Sequence, residues 1–278
     1  MDLPWWPRSL RDAATDYLQA LLGKTRPFES LLPLLEEALR RAPNPRVVDL
    51  CSGGAGPWET LLPELQARLG SSVEVLLTDL FPNAQAAERC AAQPGVSYEP
   101  QPVNALAVPT ELGGVRAIVN GLHHFRPQQA QEILASAVAA GQPIVVLELL
   151  QRTKADLLAS ALMVPLSVLT TMPRVRPVSA RTLALTYLLP VLPLALAFDT
   201  VVSTLRCYTP EELLDMAAAV SGAEGYEWQA ESLRCEAGLP VTYLVGYPRV
   251  KTTSEDTPEL APVDWEFEES EELELVSV

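Results

Sequence analysis

Between residues 9 and 41 apolar side chains recur at helical spacing in two blocks, LRDAATDYLQALLG and FESLLPLLEEALRR, broken at KTRP. This pattern predicts two helices ahead of the first strand. From residue 46 the rhythm changes: RVVDL, VEVLLTDL, VSYEP, VRAIVNGL and QPIVVLELL are short apolar runs that read as strands. Between them PWETLLPELQARLG, with Pro57 in its first turn, NAQAAERCAA and PQQAQEILASAVAAG read as helices. Strands alternating with helices at this spacing imply right-handed crossovers and a parallel sheet covered on both faces. The alternation stops after Leu150 and resumes at TPEELLDMAAAV, where Thr209 as N-cap, Pro210 at the first position and Glu212 three residues after the cap mark a helix start. YEWQAESLRC and PVTYLVGYP follow as two strands joined by a turn around Gly238. The expected fold is α/β and doubly wound, with a mostly parallel seven-stranded sheet. It divides into a helical N-terminal cap (1–45), a core (46–150), an insert (151–207), a closing helix and strand pair (208–250) and a tail (251–278).

The insert is the apolar anomaly of the chain. Residues 157–173 and 182–198 carry no charge, and RVRPVSAR lies between them, which predicts a helical hairpin with a basic tip. A membrane span needs about 20 apolar residues. These runs are shorter, Pro165, Pro190 and Pro193 interrupt them, and their ends are tied to elements of one sheet, so a true span is not expected. Three alternatives stand: a pocket wall over an apolar ligand, a surface that dips into a membrane interface with its arginines near lipid phosphates, or a face buried against the sheet or a second subunit. Trp5 and Trp6 are candidates to join the same interface.

Charge refines this picture. The formal net charge is −15, but residues 251–278 hold ten acids against Lys251 alone, and that Pro-punctuated tail reads as disordered. The remaining body is only mildly acidic, and nothing favours a nucleic-acid groove. Within the insert the balance reverses: Arg152, Lys154, Arg174, Arg176, Arg181 and Arg206 oppose only Asp156 and Asp199. Cys51, Cys90, Cys207 and Cys235 are widely spaced and only two histidines are present, so no structural metal and a reducing compartment are expected. The N-terminus lacks a basic segment followed by an apolar run, and the expected location is cytoplasmic, with a possible peripheral membrane contact.

The candidate chemistry lies at the strand ends. VVDLCSGGAGPW is a glycine-rich turn between a strand and a helix, where backbone amides can approach a ligand. A dinucleotide fingerprint would need glycine where Glu59 stands. The turn instead resembles the first motif of the class I S-adenosylmethionine-dependent methyltransferases, D/E-x-G-x-G-x-G. Asp49 matches the acid and Gly53 the middle glycine, with Cys51 and Ala55 at the outer two. The resemblance continues through VLLTDLFP, VNALAVP and AIVNGLHHF, and covers 46–150 and 208–250. It implies S-adenosyl-L-methionine as cofactor, held by Asp49, Cys51, Ser52 and Gly53. Asp79 would lie on the ribose hydroxyls with Leu80 and Phe81 beside the adenine, Asn104 and Ala105 near the adenine amino group, and Asn120 near the transferable methyl. Taken singly, a strand-end aspartate before Pro82 is also a common helix-entry device.

His123 and His124 are the only histidines and follow the fourth strand, where open parallel sheets place ligand chemistry. Either could deprotonate an acceptor hydroxyl or amine; the alternative is that one caps the next helix while the other orders the loop. The implied activity is methyl transfer to a small apolar or lipid-like acceptor, with oligomerisation through the insert as a further possibility. Two other classes stand beside it: a non-catalytic methyltransferase-fold binding protein that docks through the insert, and a nicotinamide-dependent oxidoreductase.

Overall fold

The computed structural model describes residues 8–69, 73–82, 84–175 and 179–249; Trp5, Trp6, Arg176 and the acidic tail lie outside them. Seven strands form one sheet: β1 (Arg46–Leu50), β2 (Glu74–Thr78), β3 (Val96–Tyr98), β4 (Val115–Val119), β5 (Ile144–Glu148), β6 (Tyr226–Arg234) and β7 (Pro240–Pro248). Their order is β3-β2-β1-β4-β5-β7-β6. The first five strands pair parallel, and β7 joins β5 and β6 antiparallel. The sheet is therefore the mostly parallel, seven-stranded one that the alternating pattern implies.

Period-two alternation sorts the strand side chains into two cores. Val47, Val75, Leu77, Val115, Ala117, Val145 and Val245 meet α2 (Leu32–Arg41) and α3 (Trp58–Leu69) on one face. Val48, Leu50, Ile118, Ile144, Val146 and Leu244 meet α5 (Pro127–Ala139) and α9 (Pro210–Ala218) on the other. The Thr209 cap behaves as the sequence implies: its hydroxyl accepts from Glu212 N, while the Glu212 carboxylate accepts from Thr209 N at 3.0 Å. Pro57 precedes α3 and lies outside its first turn, because the helix begins at Trp58.

The insert is helical. The first run becomes α6 (Lys154–Thr171), and Pro165 does not break it. The second run does break. A segment from Ala180 to Leu188 (α7 and a π turn) meets α8 (Val191–Arg206) at 78° across Pro190. Together α6 and α8 pack on α1 (Arg8–Thr25) through a third core of Ala13, Ala14, Tyr17, Val168, Met172, Leu192 and Leu196. Lys154–Arg174, of 21 residues, is long and apolar enough to cross a membrane by length and composition, yet only 22% of its apolar window is buried.

Candidate active site

Strands β1 and β4 are neighbours whose following connections leave in opposite directions, which makes the cleft beyond their C-terminal ends the topological switch point. Backbone strain gathers there. Of the four described non-glycine residues with positive φ, Cys51 (61°), Ala55 (97°) and Asn120 (52°) lie just past β1 and β4. Cys51 and Ala55 alternate with Gly53 (51°), so the loop keeps a glycine conformation at all three alternate positions although only one is glycine. Such conformations cost a side chain about 1–3 kcal/mol each and persist where the surroundings over-determine them. Ala55→Gly is accordingly expected to stabilise the fold. Relief of strain exceeds the buried methyl it removes, worth about 0.8 kcal/mol, and the thermal midpoint should rise by about 2–4 °C per kcal/mol gained. An unchanged or lowered midpoint in a calorimetric scan would mean that the Ala55 backbone is not strained.

Hydrogen bonds fix the loop from several sides. Ser52 N donates to Thr78 O at 2.9 Å, and the Ser52 and Thr78 hydroxyls both donate to Asp49 O, at 2.8 and 2.9 Å. Gly53 N donates to Asp79 Oδ2 at 2.9 Å, and Phe81 N to Asp79 Oδ1 at 2.8 Å. Asp79 thus ties the end of β2 to the glycine turn, and each oxygen retains lone pairs for another donor. A Cβ placed on Gly53 would meet nothing within 4 Å, whereas one on Gly54 would meet Thr15 of α1 at 2.4 Å. The loop is therefore open on one side and covered by α1 on the other.

Asp49 is the unusual group. It is 1% exposed, and the donor nearest its carboxyl is the indole N–H of Trp58, which has no other partner. Burial, opposed by hydrogen bonding from the Trp58 and Ser52 side chains and reinforced by Asp79, pushes the carboxyl up to about 7. Burial likewise pushes the Cys51 thiol up to about 12, so it is a protonated thiol at neutral pH.

The remaining expected positions divide. Asn104 is exposed, and its Oδ1 accepts from Leu106 N at 3.0 Å, while Val103 N donates to Asp79 O at 2.9 Å and brings this loop beside β2. Ala105 is buried behind it. Leu80 and Phe81 are exposed, Phe81 at 81%, and Tyr98 donates its hydroxyl to Gly53 O at 3.3 Å on the same side of the turn. Asn120 Oδ1 accepts from Leu149 N at 2.6 Å, and its buried Nδ2 has no partner.

His123 is 5% exposed, and its Nδ1 lies 2.7 Å from Glu148 Oε2, at the buried end of β5. Glu148 Oε1 also accepts from Leu122 N at 2.8 Å and His123 N at 3.2 Å. Burial works against both charges, but their mutual attraction prevails: the imidazole is raised above its ordinary value and the Glu148 carboxyl is lowered. From the insert, Arg206 lowers and Asp199 raises the imidazole more weakly, and Arg206 donates to His124 O at 2.7 Å. Neither histidine caps α5, whose N-cap is Arg126. Glu148 is absent from the expected set. The signal was present in IVVLE, since a carboxylate closing an otherwise apolar buried strand requires a partner.

Two shallow surface depressions lie elsewhere, one between α5 and α9 around Gln131 and Ser221, the other by Asn44 and Glu74 at the N-terminal ends of β1 and β2. No group of three or more His, Cys, Asp or Glu side chains suited to a metal occurs among the described residues.

No protein-family model and no curated protein sequence matches the chain. Solved structures do. The CMeT domain of the citrinin polyketide synthase aligns with 87% of the chain and 57% of its own length, at 15% identity and a TM-score of 0.50. An O-methyltransferase family 2 protein from Planctomyces limnophilus, in complex with apigenin, aligns with 90% of the chain and 64% of its own length, at 13% identity and a TM-score of 0.47. Human N-acetylserotonin methyltransferase, in complex with SAM, aligns with 87% and 57%, at 13% identity and a TM-score of 0.47. The chain spans little more than half the length of several of the solved structures it matches. At these identities the likeness concerns the fold, and the sheet order with its closing antiparallel strands is that of the class I methyltransferase fold.

Proposed function

We propose that this chain, which has the class I methyltransferase fold, binds S-adenosyl-L-methionine at the β1–β4 switch point and catalyses methyl transfer to an acceptor bearing an ionisable hydroxyl or amine. The observation that carries the reading is the strand-end geometry: the Asp79 carboxylate, with lone pairs left over, stands beside a glycine turn that has open space in front of Gly53, and the buried Asp49 carboxyl lies behind that turn. Such a pair of carboxyls calls for a ligand that brings hydrogen-bond donors or positive charge, and the cofactor has both and no phosphates. Asp79 would hold the ribose hydroxyls, with Asn104 and Ala105 beside the adenine and Asn120, Ser52 and Gly53 lining the remainder.

When bound, the cofactor supplies an electrophilic methyl on a sulfonium. The chain's own part is to orient, exclude water and move a proton. With Nδ1 engaged by Glu148, His123 has Nε2 as the nitrogen able to take a proton from the acceptor, and Glu148 stabilises the imidazolium so formed. The insert, which reaches this turn through Arg206, is the element suited to cover an apolar or lipid-like acceptor.

Calorimetric titration with S-adenosylmethionine and S-adenosylhomocysteine tests the reading. Both are expected to bind in the micromolar range, with different pH responses. In the folded, unliganded chain Asp49 holds a proton up to about pH 7, so its ionisation there costs stability and is favoured by a bound cation. Affinity for the sulfonium should therefore fall about tenfold from pH 8 to pH 6, as the ionised fraction falls, while that of the neutral homocysteine product changes little. Absence of binding to either ligand by the folded protein would overturn the proposal.

A further inference from the structure

Among the described residues, eleven of the thirteen exposed large hydrophobic side chains belong to the insert: Leu158, Leu162, Met163, Leu166, Tyr187, Leu188, Leu189, Val191, Leu194, Phe198 and Leu205. They are ordered. Leu158, Leu162 and Leu166 stand at i, i+4 and i+8 on the side of α6 away from Val168, which faces α1. Val191, Leu194, Phe198 and Leu205 make a matching stripe on α8. At the bend Leu188 is 79% exposed beside Tyr187, Leu189 and Pro190. No charge interrupts the outer face of α6 and its last turn between Lys154 and Arg174, a length of about 30 Å at helical rise.

Cations frame this face. Arg174 and Arg181 are exposed at the hairpin tip and Lys154 at its base, and none pairs with a carboxylate among the described residues. Arg174 donates only to the Thr170 carbonyl of its own helix. The two acids of the insert face inward or along its flank: Asp156 is buried and held by Arg234 at 2.7 Å, and Asp199 lies near His123.

We propose that the outer face of the α6–α8 hairpin docks on an anionic lipid surface. Its leucines and Phe198 would lie in the acyl boundary, with Arg174 and Arg181 among the phosphates. Charge complementarity selects this occupant. The insert carries six basic residues against two acids in a chain of net charge −15, so an anionic membrane attracts this surface and repels the rest. A second copy of the chain is disfavoured by the same arrangement. With cations at both ends of an uncharged face, either direction of two-fold pairing sets like charges together. A full span is disfavoured by α1: Tyr17 donates to Ser167 at 2.9 Å, and this contact would draw Asp16 and Lys24 of the same helix toward hydrocarbon. Docking in the interface keeps α1 in water.

Vesicle co-sedimentation of the full chain, without cofactor or acceptor, tests the docking independently of methyl transfer. Vesicles of phosphatidylcholine containing phosphatidylglycerol should retain the protein at low salt, and pure phosphatidylcholine vesicles should retain it at least tenfold less. Arg174→Gln with Arg181→Gln should weaken binding about twenty-five-fold, roughly fivefold per cation, and Leu188→Ser with Leu189→Ser at least tenfold. These side chains are exposed, so the thermal midpoint should not move. Failure of the folded wild-type chain to sediment with anionic vesicles, or binding that both double variants leave unchanged, overturns the proposal. Light scattering that shows a dimer abolished by the leucine substitutions, with no vesicle binding, overturns it in favour of a subunit interface.

Discussion

Asp79→Ala is expected to reduce cofactor affinity by at least a hundredfold while leaving the protein folded. A carboxylate that accepts two ribose hydroxyls makes two charge-assisted bonds, each worth about 1.5–3 kcal/mol, so losing both corresponds to about two to four powers of ten. The same oxygens hold Gly53 N and Phe81 N, and their loss loosens the glycine turn as well. Asp79→Asn separates the two contributions. It keeps one acceptor oxygen and most of the shape but loses the charge, and it should bind between the wild type and the alanine variant. Isothermal titration with S-adenosylhomocysteine, accompanied by a thermal scan, measures both. A folded Asp79→Ala protein that still binds tightly would remove Asp79 from the site and with it the placement of the ribose.

Much of this arrangement was legible in the sequence because it depends on local periodicity. Runs such as RVVDL and IVVLE could only be buried strands, and the spacing of helices between them dictated a parallel sheet. The Thr209–Glu212 cap and the hairpin around Gly238 were readable from turn chemistry alone. Other features depend on contacts between distant residues and were not. Pro165 was expected to interrupt the insert, yet α6 runs through it, because packing on α8 and α1 offsets one lost backbone bond. Cys51 and Ala55 looked like departures from a glycine pattern, whereas the structure shows that the turn keeps positive φ there. Glu148 and His123 lie 25 residues apart, and only the parallel pairing of β4 with β5 brings the turn after one strand to the end of the other. Phe81 N donates to Asp79, and the Phe81 ring stands exposed beside the site.

That His123–Glu148 pair leads to the second large effect. If His123 accepts the acceptor's proton, His123→Ala should lower kcat by about 10²–10⁴-fold with little change in cofactor affinity. The pH profile distinguishes this role from a merely structural one. The imidazole is raised above its ordinary value by Glu148, against the opposing effect of burial, so it is protonated and inactive as a base at lower pH. Activity should then rise with pH, with a midpoint above about 6.5, the ordinary histidine value. The pair also has a stability signature: a raised imidazole contributes stability that is complete below its unfolded value and lost as pH rises through its folded value. Glu148→Gln should move the activity midpoint downward, because the attracting charge is gone, and should lower the plateau rate as well. The amide can still accept from Leu122 N through its oxygen, but its NH2 then faces Nδ1 and forces the wrong tautomer on the ring. A Glu148→Gln enzyme with lower activity but an unshifted midpoint would assign Glu148 to holding the turn at Leu122 and His123, and would place the proton acceptor elsewhere.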